Sequence, residues 1–83
     1  MTRRAIKKKI KTLERILKER LPHIKRWRKV SVILDCDTFT IYWSDPKTAK
    51  NHHPFESKQM PISDIDIIIN RNKSRLRNES KLY

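Results

Sequence analysis

Glycine is absent from this 83-residue chain, and that one absence removes several functions. Gly-rich phosphate loops and dinucleotide fingerprints need backbone that approaches phosphate more closely than a Cβ allows, so neither is available. Turns that need positive φ must use Asn or Asp instead. Cysteine is nearly absent as well. Cys36 alone allows no internal disulfide, which fits a reducing interior such as the cytoplasm, the expected location, and equally suits any other compartment. It lies between Asp35 and Asp37, whose negative charge opposes the thiolate that a nucleophile needs. One cysteine and three histidines give no zinc-finger spacing. His52 and His53 are adjacent, and successive side chains diverge in a helix or strand, so a solvated loop is expected there and no metal or other cofactor. No apolar run approaches the ~18 residues of a membrane span. The basic N-terminus lacks the apolar segment of a secretory signal, and none is expected.

Acidic residues are the other shortage, with 9 Asp/Glu against 21 Lys/Arg and a net charge of +12. The distribution matters more than the total. Residues 1–29 carry 13 Lys/Arg against Glu14 and Glu19, whereas residues 30–70 are mildly acidic and residues 71–83 are basic again. Two cationic ends flanking an acidic middle point to a polyanionic partner, because like charges so crowded destabilise the fold that bears them.

What is present is strongest at the start. Ile6, Ile10, Leu13, Leu17 and Ile24, flanked by Ile16 and Leu21, recur at helical spacing and share one face. Arg4, Lys8, Lys11 and Arg15 recur at the same spacing on the opposite face. The segment from Arg3 towards Trp27 thus reads as an amphipathic helix, apolar on one side and basic on the other. Thr2 is positioned to cap it. The cations crowd its first two turns, where the helix dipole opposes them. Glu14 and Lys18 form the favourably oriented intrahelical pair. Pro22 ends or kinks the helix near Leu21.

Trp27 lies inside the run Lys25-Arg26-Trp27-Arg28-Lys29. An aromatic there either stacks on an exposed base between phosphate-holding neighbours or plugs the junction between helix and sheet. From Val30 the period changes to two. Val30, Val32 and Leu34, then Phe39, Ile41 and Trp43, predict an antiparallel hairpin over 30–43 with its turn at Asp35-Cys36-Asp37. Ser44-Asp45-Pro46-Lys47 reads as a turn, and residues 46–57 as a polar loop. Residues 63–70 fit two patterns. Ile65, Ile68, Ile69 and Leu76 suit a helix beginning after Ser63, but consecutive β-branched residues favour a strand over Asp66–Asn70. The basic stretch 71–83 reads as a tail, either a frayed helix or disordered.

The phrase Met60-Pro61-Ile62-Ser63-Asp64-Ile65-Asp66-Ile67 resembles the closing strand of small SH3-like or Sm-like barrels. The expected architecture is α+β. One domain over residues 1–70 packs an N-terminal amphipathic helix on a small bent antiparallel sheet of about three strands, and a basic C-terminal arm follows.

One pattern suggests catalysis. Glu56-Ser57-Lys58 has the Glu-x-Lys spacing of metal-dependent nucleases, with Asp35, Asp37 or Asp45 as a second carboxylate. The triplet is common by chance and 83 residues hardly hold the expected scaffold, so no enzyme is expected. The favoured expectation is a non-catalytic protein that holds the phosphate backbone of DNA or RNA with low sequence specificity. The contacts would come from Arg4, Lys8, Lys11, Arg15 and Lys18, from Lys25, Arg26, Trp27, Arg28 and Lys29, and from Arg71, Arg75 and Arg77. The alternative is a small adaptor or inhibitor docking the same basic face on an acidic protein surface. Small phage or mobile-element regulators that occupy nucleic-acid-binding grooves are an analogy for it. Membrane binding by the amphipathic helix ranks last, because the sheet needs its apolar face. The near-heptad row from Ile6 to Ile24 could also pair two copies of the helix in a homodimer.

Overall fold

The computed structural model describes residues 2–46 and 54–80. Helix α1 spans Arg3–Arg20 and is followed by one 3₁₀ turn, Leu21–His23. Strands β1 (Lys29–Leu34), β2 (Thr38–Ser44) and β3 (Phe55–Pro61) come next, then a 3₁₀ turn at Ile62–Asp64 and helix α2 (Ile65–Ser80). The strands form an antiparallel meander in the order β1-β2-β3. The fold is α+β, with α1 packed on the sheet as its apolar row requires.

Thr2 does cap α1, its Oγ1 accepting from the Ala5 N–H at 3.2 Å. The helix stops at Arg20, two residues before Pro22, and the proline is the second residue of the 3₁₀ turn, where its missing N–H breaks no helical bond. Ile10, Leu13, Ile16 and Leu17 are buried, and Ile6 and Leu21 pack at the margin of the same core. The row considered for a helical dimer is therefore taken up by the chain's own core. Ile24 lies beyond the helix and outside that cluster.

The hairpin forms in the register Val30↔Trp43, Val32↔Ile41 and Leu34↔Phe39. Alternation sends these six residues to the helix-covered face, where Phe39 is fully buried. The turn needs no positive φ, and none occurs among the described residues. Asp35 supplies the turn instead: its Oδ1 accepts from the Cys36 N–H at 2.8 Å, while its own N–H donates to the Thr38 carbonyl at 2.8 Å.

The third strand is not where alternation suggested. Residues 55–61 pair with β2, while Asp66–Asn70 belongs to α2. In β3 only Met60 is buried, so the strand carries no hydrophobic signature of its own and is held by its ladder to β2. The expected polar loop over 46–57 thus gives up its last residues to a strand, and its centre, His52 and His53 included, lies outside the described residues. Because the chain turns helical after Asp64, the stretch resembling a barrel-closing strand closes no barrel, and among the described residues β1 and β3 are the edges of the sheet.

Burial decides the helical alternative. Ile65, Ile68, Ile69 and Asn72 are buried and Leu76 is half-buried, all on one α-helical face, whereas Ile67 is 56% exposed. Asp64 and Asp66 lie where the helix dipole favours negative charge. Helix α2 crosses residue 70 without a break, so the boundary expected there between domain and arm falls inside a packed helix; residues 81–83 are outside the described range. A buried polar network ties this half to α1. The Arg20 guanidinium donates to the Glu79 carboxylate (2.8 Å from Nη2) and to Asn72 Oδ1 (2.6 Å from Nη1). Asn72 Nδ2 in turn donates to the Ile68 carbonyl at 2.8 Å. Lys9 adds an ion pair to Asp66 at 2.8 Å. No described helix is long and apolar enough to cross a membrane.

Candidate nucleic-acid interface

The basic face of α1 exists as a surface. Arg4, Lys8, Lys11, Arg15 and Lys18 are all exposed, because the apolar row opposite them is held against the core. Two of the five are partnered along the helix. Lys18 meets Glu14 at 3.0 Å, the expected pair, and Arg15 meets Glu19 at 3.1 Å. These are exposed pairs worth only ~0.3–0.5 kcal/mol each, so they leave both cations open to exchange for a stronger anion. Among the described residues no carboxylate pairs with Arg4, Lys8 or Lys11, nor with Arg3 and Lys7 beside them. Lys9, in the same cluster, is turned to Asp66.

The 3₁₀ turn after α1 folds the next basic run back beside the helix end. Lys18, Lys25, Arg28 and Lys29 line one open depression of about 640 Å³ floored by Leu21, Pro22 and Trp27. The end of the helical stripe and the basic run that follows the turn thereby become one surface. Arg28 is steadied by Asp45 at 3.4 Å, and its N–H donates to the Ser44 carbonyl, which fixes the start of β1.

Trp27 does not serve as an exposed stacking platform. It is only 8% exposed, and Arg26 lies over its ring, 4.9 Å from the guanidinium carbon to the centroid. It is buried just before β1 but outside the main core cluster, beside Leu21 and Pro22, a packing role and not an open one. Arg26 stays exposed, committed to a cation–π contact.

No family model matches the chain, and neither a curated protein nor a solved structure is significantly similar to it.

The remaining predicted residues lie on α2. Arg71, Arg75 and Arg77 are exposed. Arg71 and Arg75, one turn apart, line a separate cleft against β2 and β3, together with Trp43 and Lys58; Arg77 points off that face. Trp43 and Lys58 were not singled out for binding, since Trp43 reads as core from alternation and Lys58 reads as one half of a nuclease triplet. Glu56 and Lys58 are indeed neighbours on one face of β3, but the supposed second carboxylates are elsewhere. Asp35 and Asp37 lie at the other end of the sheet, roughly 20 Å away at 3.3 Å per residue, and Asp45 is engaged by Arg28. Among the described residues no three His, Cys, Asp or Glu side chains gather as a metal site.

Proposed function

We propose that the chain is a small non-catalytic nucleic-acid-binding protein that grips the phosphate backbone with little sequence preference. The observation that carries this reading is the set of exposed cations without carboxylate partners along the first half of α1, Arg4, Lys8 and Lys11 foremost. Arg4 in the first turn is opposed by the helix dipole and the others by their like-charged neighbours, so folding gives no reason for the cluster, and a polyanion does. Lys18 and the Lys25–Lys29 run continue the track. Contacts of this kind position a ligand without reading its bases. Placement in the cytoplasm is part of the proposal, compatible with the exposed free thiol of Cys36.

The test is affinity for a mixed-sequence duplex and a single strand across a salt series. Log affinity should fall linearly with log salt, by about 0.9 per duplex phosphate neutralised. A flat dependence, or no binding at low salt, discards the reading.

One observation favours a protein partner, at a face other than the basic one through which the adaptor would dock. On the sheet face away from the helices, Ile33, Tyr42 and Phe55 form a diagonal across all three strands, 54%, 37% and 68% exposed. Exposed apolar residues so aligned suit a protein partner. Retention of an acidic protein by nuclease-treated material would promote that reading.

A further inference from the structure

The cleft between α2 and the strands combines features that the α1 face lacks. Its wall is Trp43, a partly buried ring packed at the margin of the core, over which no cation is stacked among the described residues. Lys58 is the diagonal neighbour of Trp43 in the β2–β3 ladder, since Glu56 is the residue directly opposite the tryptophan. Arg71 and Arg75 face them from successive turns of α2. Arg20 also lines the cleft, but Glu79 neutralises it. Arg71, Arg75 and Lys58 have no carboxylate partner among the described residues, and Glu56 is the one carboxylate lining the space. The balance is two positive charges beside an aromatic ring. At about 150 Å³ the cleft admits a single flat ring and not a duplex.

We infer that this cleft is a binding site for one unpaired nucleotide, its base against Trp43 and its phosphate held by Arg71, Arg75 and Lys58. The inference deepens the proposed function and rests on it for the polymer. It assigns the chain a preference for unpaired over paired strands, with α1 supplying charge and the cleft supplying discrimination. Arginine suits the phosphate because its planar fork makes paired hydrogen bonds. A base of any identity offers a π-face to the tryptophan, so the preference is for strandedness and not for sequence.

The experiment titrates the protein with an unstructured eight-nucleotide oligouridylate and with a duplex of equal phosphate count, following tryptophan emission and affinity. The oligomer should quench emission and the duplex should not. R71A/R75A should weaken oligomer binding by roughly tenfold or more and abolish the quench, while duplex affinity changes by less than about threefold. K8E/K11E should weaken both ligands. Trp43→Phe keeps an aromatic in the packing position and should keep oligomer affinity within about tenfold while losing most of the quench. If R71A/R75A lowers both affinities equally, or neither, the site is overturned. Adenosine monophosphate separates the two readings. If wild-type protein binds neither polymer, the general function fails. The cleft then stands if the mononucleotide quenches emission in wild-type but not in R71A/R75A, and falls if it does not.

Discussion

Arg20→Ala strands two acceptors at once, the Glu79 carboxylate and Asn72 Oδ1, both drawn out of water by the packing of α1 on α2. Removing one member of a buried pair leaves the other uncompensated, so the expected cost is about 3 kcal/mol. The lower end of the usual range applies because the Glu79 side chain is 21% exposed. Urea denaturation measures it. The double variant Arg20→Met/Glu79→Met, which removes both charges together, should recover most of the loss, and R20A unfolding at the wild-type midpoint would refute the network's role. Leu13, fully buried, should cost ~2–5 kcal/mol on truncation to alanine. Exposed Lys8→Ala should stay within ~0.5 kcal/mol of wild type in the same measurement. The sequence exposed this contrast for Leu13, whose neighbours repeat at helical spacing. It concealed the contrast for Arg20, which reads as one more cation in a basic segment because its two partners lie 52 and 59 residues away. Alternation did place Trp43 at the core margin, whereas the sequence left Trp27 open between a stacking and a packing role, and only its burial decides for packing.

At the scale of elements, α1 and the β1–β2 hairpin were legible and β3 and α2 were not. The first two announce their periods through residues that the core buries. β3 buries Met60 alone, and a strand held by its neighbour's backbone leaves no trace in hydropathy. α2 was obscured by Ile67, which inserts an apolar residue on the solvent side and turns a helical spacing into an apparent alternation. The phase of α2 can be tested directly. Ile67→Lys should leave stability within ~0.5 kcal/mol, whereas Ile68→Ala, one residue on but 9% exposed, should lose ~2–4 kcal/mol. Were the segment a strand with Ile65, Ile67 and Ile69 inward, Ile67→Lys would be the severe variant and Ile68→Ala the mild one.

For the whole molecule, stability and the proposed binding pull in opposite directions at the start of α1. Arg4→Glu, in the first turn, replaces a charge that the dipole disfavours by one that it favours, worth ~0.3–1 kcal/mol, and Lys8→Glu, one turn on, places a carboxylate three residues before Lys11. The double variant should therefore melt at a higher temperature than wild type and bind nucleic acid more weakly, as read by thermal circular dichroism and a binding titration. A variant that melts higher yet binds as well as wild type would remove α1 from the interface. The charge segregation behind this expectation was plain in the sequence; the meeting of Lys18 with the Lys25–Lys29 run, and of Arg71 with Lys58, required the fold. The contacts between the two helices have one more consequence. Lys9 finds Asp66 and Arg20 finds Asn72 and Glu79 across gaps of 52 to 59 residues, so the first element in the chain completes its packing on the last. Closing loops of that length is slow compared with winding a helix or forming a hairpin. During synthesis, the part of the apolar flank of α1 that α2 covers therefore waits until α2 has been made, even once the hairpin has docked, while the dense positive charge of α1 keeps emerging copies apart by mutual repulsion.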